Sequence, residues 1–208
     1  MSDLETTRLS LHAIAELLLA GPQHEQGGSI RLRVAPGGFA TVATPAVRVE
    51  GTALVVDAGR VPLTGRTVAE VAAEAGLTAH SLDDVYSGGV GLGAQHVLQV
   101  DEAHATEIAE GFRVGEEALA AFAPGVERVL WPEHFDLAIS LDSVNYGVSP
   151  GDGHLGVPYA YVGPWSPAQV AGPFWNAPFG AARPLSEIDD LLAFFDRGRA
   201  LITGSPSP

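Results

Sequence analysis

Residues 29–56 read SIRLRVAPGGFATVATPAVRVEGTALVV, and the fold is decided by how this stretch is read. Ser29 to Val34 and Phe39 to Val42 alternate with the two-residue period of a strand around Pro36-Gly37-Gly38. Val47 to Glu50 and Leu54 to Val56 do the same around Gly51-Thr52. Two hairpins in succession predict an antiparallel sheet. Arg31 and Arg33 fall opposite Leu32 and Val34, which makes them the wet side of the first strand. Upstream, Leu11, Ile14, Ala15, Leu18 and Leu19 recur at helical spacing between Leu9 and Ala20, and Gly21-Pro22 is expected to stop that helix. Downstream, Thr67-Val68-Ala69-Glu70 has capping-box spacing and predicts a helix from about Val68 to Ala75. Asp101 can cap a longer helix whose Ala105, Ile108, Phe112, Leu119 and Phe122 form one stripe, with Pro124-Gly125 ending it. Gly111 and Gly115 on that helix permit close approach of a neighbour. A last helix is expected over about Ser186 to Ala200, with Ile188, Leu191, Leu192 and Phe195 inward, followed by a loose tail from Thr203 to Pro208.

The fold class that follows is α+β: an antiparallel sheet built from hairpins, with an N-terminal helix, two central helices and a C-terminal helix. No regular βαβ alternation and no internal repeat is legible. The chain is expected to form a single globular domain, or two closely packed halves over about 1–125 and 126–202. At 208 residues, 46% hydrophobic and 17% charged, it can bury a sizeable core. Its 25 acidic residues against 11 basic ones give a formal net charge of −14, and every basic residue is Arg. That balance argues against bulk phosphate binding and makes nucleic acid an unfavoured partner. The missing Lys beside abundant Ala, Gly, Val and Arg reads as a GC-rich coding bias. The absence of Cys excludes disulfides, thiolate metal sites, iron–sulfur clusters and a thiol nucleophile. No apolar run approaches the roughly 18 to 20 residues of a membrane helix, and the start, with Asp3, Glu5 and Arg8, lacks a basic leader. A cytoplasmic protein is expected.

Composition changes between Leu130 and Pro184. Eight of the 15 prolines, all three Trp and three of the four Tyr fall there, so its strands are expected to be short or at edges. The densest polar and aromatic run is Trp131-Pro132-Glu133-His134-Phe135-Asp136, continuing through Asp142, Asn145 and Tyr146 to Ser149-Pro150-Gly151-Asp152-Gly153-His154. If residues 133–141 are extended, Phe135, Leu137, Ile139 and Leu141 face the core, while His134, Asp136, Ser140 and Asp142 face away. Glu133 then takes the parity of the core, where Trp131 and Phe135 would strip its hydration and raise its pKa, as suits a general acid or base. The alternative is that Pro132 breaks the register and leaves Glu133 in water.

His134 and Asp136 would stand roughly 6 to 7 Å apart on one strand face. With His154 they would complete a two-histidine, one-carboxylate set for a divalent metal such as iron, manganese or zinc. Without metal, Asp136 would orient His134 as an acid–base partner. The bland alternative is a solvated strand face. The H-x-D pair superficially resembles that of non-haem iron oxygenases, although their second histidine normally lies much further along the chain. Asp142, Asn145 and Asp152 offer oxygen ligands without the register of a calcium loop. Trp131, Asn145, Tyr146, Tyr159, Tyr161, Trp165, Trp175 and Asn176 are the candidate ligand-binding residues, with Tyr159 and Tyr161 on one strand face. The same aromatics fit a core or a subunit interface.

Thr67 to Leu77, followed by Leu82, Val85 and Tyr86, resembles the helix-turn-helix of bacterial repressors. Its second helix would carry His80, Ser81, Asp83 and Asp84 and no Arg, which sets carboxylates against a polyanion. The pair is therefore read as packing. Gly88-Gly89-Val90-Gly91-Leu92-Gly93 lacks the Lys-Ser/Thr ending of a phosphate loop and reads as a lid or connector. Through WPEHFDLAI, VNYGVSPGD and PYAYVGPW the chain resembles an uncharacterised family of bacterial hypothetical proteins, and WPEHFDLA is similar to a phrase in another bacterial domain of unknown function. Neither resemblance brings an activity, a cofactor or a catalytic residue. Two functional readings stand. One is a small-molecule-binding protein, with Glu133, His134 and Asp136 as the catalytic candidates if it is an enzyme. The other is a non-catalytic protein whose aromatics form a homo-oligomeric or partner surface.

Overall fold

The computed structural model describes residues 2–204, apart from the Gln169 side chain. Ser2 caps the first helix, α1 (Asp3–Ile14), through its hydroxyl. Contrary to expectation, Gly21-Pro22 does not stop it. The chain passes through a π-helical segment (Ala15–Ala20) into α2 (Gly21–Gly27). Pro22 has no N–H to give to the preceding turn, and the freed carbonyl of Leu17 accepts instead from the His80 N–H at 3.0 Å. Gly21 is required there, because a Cβ would stand 2.1 Å from the His80 carbonyl oxygen.

The two expected hairpins form as β1 (Leu32–Ala35) with β2 (Gly38–Thr41), and β3 (Arg48–Glu50) with β4 (Ala53–Val56). A further strand, β5 (Gly59–Pro62), pairs with β4, followed by α3 (Val68–Ala75), whose Thr67–Glu70 capping box is complete. Asp101 caps α4 (Glu102–Phe122), which leads into β6 (Val129–Trp131), β7 (Asp136–Leu141), β8 (Val144–Ser149), β9 (Tyr159–Pro164) and β10 (Ala181–Pro184). After a short 3-10 turn at Leu185–Glu187 the chain enters α5 (Leu191–Thr203), which starts later than expected and buries Phe194, Phe195 and Gly198. Ile188, Leu191 and Leu192 pack half-buried against the core. Residues 205–208 of the expected loose tail lie outside the described residues.

All ten strands join one antiparallel sheet in the order β10-β9-β8-β7-β6-β1-β2-β3-β4-β5. The two five-strand meanders meet where Leu32 pairs with Leu130. Each meander is preceded and followed by helix, a repetition in topology that no repeat in sequence announces. One hydrophobic cluster runs from α1 through both meanders to α5. Among the described residues, no helix is long and apolar enough to cross a membrane.

The helix pair expected over residues 67–86 is not observed. Residues 77–100 form no second helix, because their backbone is bound elsewhere. The Val68 and Ala69 N–H groups donate to the carbonyls of His96 and Ala94, and buried Ser10 and Thr7 of α1 accept from the N–H groups of Gln99 and Asp101.

Helix packing fixes which sheet face is free. Gly115 of α4 sits on Val148 and Leu137, and Gly198 of α5 sits on Val162. Strand alternation then sends Asp136, Ser149, Tyr159 and Tyr161 to the opposite face. A Cβ at Gly115 would come within 2.8 Å of Val148 Cγ2. Gly115→Val should therefore cost about 1 to 3 kcal/mol by overpacking, read as a lower midpoint in urea denaturation at unchanged slope.

Candidate functional site

The site begins at the turn between β6 and β7. Phe135 adopts a left-handed conformation, φ 51°, which an L side chain resists. Its ring holds it there: it stacks on His12 at 5.3 Å and meets Phe39 and Phe112 edge-on at 5.2 and 5.4 Å. His12 also fastens the other end of the turn, its Nε2 donating to the Pro132 carbonyl at 2.6 Å. Burial holds the His12 pKa down to about 4, the Pro132 carbonyl opposing this and Arg8 and His134 reinforcing it. The imidazole is thus a neutral clamp at physiological pH. Of the two readings of 133–141, the broken register is the one observed, and the strand starts only at Asp136.

Beyond the turn lies a cavity of about 630 Å³. Its walls come from Arg8, Leu9 and His12 of α1, from Gly88–Val90, from the turn at 133–136, from the β8–β9 loop and from the free face of β8 and β9. Two tyrosine–carboxylate pairs organise it. Tyr161 donates to Asp136 Oδ2, its ring lying across Gly147, where a Cβ would be 2.7 Å from the ring edge. Tyr159 donates to Asp152 Oδ2 at 2.5 Å, while the Asp152 Oδ1 accepts from the N–H groups of His154 and Leu155.

The two carboxylates are driven in opposite directions. Burial would raise Asp152, yet the three donors together hold it below its ordinary value. Burial pushes the Asp136 carboxyl up to about 6, and the Tyr161 hydroxyl and nearby His134 recover only part of that rise. Asp136 Oδ1 is buried without a hydrogen-bond partner, and so is Arg8 Nη1 on the helical wall. Glu16, also buried and raised by burial, pins the glycine-rich segment as a wall of the cavity. Its carboxylate accepts from the Tyr86 hydroxyl and the Val90 N–H, both at 2.7 Å. A Cβ on Gly89 would stand 2.1 Å from Glu16 Oε1.

Of the sequence candidates, Glu133, His134, Asp136, Asn145, Tyr159, Tyr161 and Trp165 are brought together around this cavity. Glu133 precedes β7, so the core parity assigned to it belongs to no strand. Glu133 is half-buried in the turn, its Oε1 3.0 Å from the Nε2 of exposed His134. Among the described residues no three His, Asp or Glu side chains form a metal-holding group, so His134, Asp136 and His154 do not converge as the expected set. His134 pairs with Glu133, Asp136 is engaged by Tyr161, and His154 turns its ring onto Phe179 at 5.1 Å. The oxygens weighed for calcium are likewise dispersed, Asp142 pairing with Arg199 and Asn145 accepting from Ser140 and Trp165.

Four aromatic or polar candidates lie elsewhere. Tyr146 is a core residue packed on Phe122 and Phe195, because its parity on β8 is that of Val144 and Val148. Asn176 spends its amide on both backbone groups of Ala182. Trp175 packs edge-on against Phe174 and lines a second hollow, and Trp131 is half-buried at the end of β6. Arg8, His12, Glu16 and Phe179 escaped the sequence reading. The one available signal was a polar residue set among the apolar positions of the first helix, as at Glu16.

No family model matches the chain, and neither does any curated protein or solved structure with which it was compared.

Asp136 binds its proton more tightly when folded than at its ordinary value of 3.8. Its contribution to stability is therefore full below that value and lost as pH rises through about 6. Subtracting the unfolding free energy of Asp136→Asn from that of the wild type at each pH should give a curve falling across this window. Tyr161→Phe removes a donor that favours the charged form, so the Asp136 carboxyl carbon should titrate above about 6 by NMR. A flat difference curve and an unmoved titration would contradict this account.

Proposed function

We propose that the chain binds a small polar organic molecule in this cavity and that Asp136 is the group that exchanges a proton with it. The observation that carries the reading is the buried, unpartnered Oδ1 of Asp136 at the wall of a hollow large enough for such a molecule. Buried polar atoms normally have a partner, and a carboxyl titrating near 6 is matched to acid–base work close to neutral pH. Tyr161 fixes the other oxygen and so the direction in which Oδ1 points. His134 and Glu133, at the exposed side of the cavity, would relay a proton between Asp136 and solvent.

Gly163 supplies the test. It lines the cavity on the same strand face as Tyr159 and Tyr161, and a Cβ there meets nothing closer than 3.6 Å. Gly163→Leu should fill the hollow while leaving the fold intact. In wild type, a library of polar fragments screened by amide NMR should shift resonances of residues 149–153 and 159–163, and those shifts should vanish in Gly163→Leu. Fragments that shift no cavity residue in wild type would overturn the proposal.

A second reading, contact with another copy or a partner, rests on the adjoining hollow, which shares Trp165 with the cavity. Trp165 is 66% exposed and Leu201 50% exposed, and both border the second hollow. If copies meet there, Trp165→Ser with Leu201→Ser should convert a sedimenting dimer to a monomer.

A further inference from the structure

Resting on the ligand-binding reading above, we infer that the occupant of the cavity is a small zwitterion: its carboxylate meets the Arg8 guanidinium, its protonated amine meets Asp136 Oδ1, and an apolar body lies between. Around the cavity, Asp152 holds three donors, both tyrosine hydroxyls are spent on carboxylates, and the Ser149 hydroxyl accepts from the Gly151 N–H. His12 is committed to Pro132, and Glu133 to His134. The charged groups that remain with a buried unpartnered atom are one cation and one acid, Arg8 and Asp136.

These two are not each other's partners. Among the described residues Arg8 makes no ion pair. Its field acts on His12, whereas Asp136 feels His134 and Glu133. A purely anionic occupant would satisfy Arg8 but set further negative charge beside Asp136, Asp152 and Glu133. A purely cationic one would leave the buried Nη1 of Arg8 without an acceptor. A molecule with both charges satisfies both ends, and a dipeptide carries both charges with apolar side chains between them. Leu9, Val90 and Phe179 give the cavity an apolar wall for its side chains.

Three peptides test this by calorimetry at about pH 7, where both termini are charged: Leu-Phe, its N-acetyl form and its C-terminal amide. Leu-Phe should bind wild type, and removing either charge should weaken it by about tenfold or more. In Asp136→Asn, acetylation should cost nothing further, and in Arg8→Gln, amidation should cost nothing further. If either variant fails to fold, the three peptides on wild type decide alone. Modified peptides that bind wild type as tightly as the free one would overturn the inference. So would a free dipeptide that does not bind while neutral fragments still shift the amides of residues 159–163, and in that case the ligand-binding reading survives. If no probe of any kind shifts those amides, both fall together.

Discussion

The clamp on Phe135 is the constraint on which the remaining architecture turns. A bulky residue in the left-handed region carries a strain of order 1 kcal/mol or more, and here three rings from α1, β2 and α4 hold it in place. That contact ties both meanders to the helical layer at one point. It also sets where β7 begins. Because strand faces alternate, a slip of one residue would exchange Asp136 for Leu137 on the cavity side and bring a carboxylate into the core. The His12 contacts with Phe135 and with the Pro132 carbonyl are thus as much about register as about stability.

With the register fixed, the chemistry follows from small residues. Gly147 leaves the space through which Tyr161 crosses β8 to reach Asp136 on the next strand. Gly89 allows Glu16 to draw the 86–90 segment against the helix, and Gly163 leaves the hollow open. Two aspartates of ordinary chemistry acquire different characters in this setting. Asp152, in a loop that offers backbone N–H groups, stays ionised. Asp136, on a buried strand with one tyrosine, keeps its proton into mildly acidic pH.

The hairpins, the capping box at Thr67 and the Asp101-capped helix were legible because each depends on neighbours in sequence, such as a turn dipeptide or a side-chain oxygen placed near the orphaned N–H groups. The same locality explains the errors. Pro22 looks like a stop until His80, far along the chain, supplies the N–H that the helix carbonyl lacks. Leu82, Val85 and Tyr86 have the spacing of a second helix, yet Tyr86 is claimed by buried Glu16 and residues 94–96 by the start of α3. Within the site, the aromatic and acidic density near residue 133 and the shared face of Tyr159 and Tyr161 pointed to the right region. Of the two readings of 133–141, the extended one would have put Glu133 in the core and His134 beside Asp136; the structure follows the other, a register broken before Asp136, through a left-handed Phe135 that is a tertiary effect. Arg8 and His12 enter the cavity through helix–turn packing that no local spacing encodes.

An open ten-stranded sheet has two borders, and in this chain each border strand ends in proline and carries one arginine: Arg60 and Pro62 on β5, Arg183 and Pro184 on β10. Proline offers no hydrogen to an incoming strand, and arginine brings charge that must be dehydrated before one can dock. Lateral growth into a continuous ribbon is discouraged on both sides at once. Any assembly of this molecule then has to be made flat side to flat side or through its helices, which keeps strand addition from competing with occupancy of the hollow beside β9.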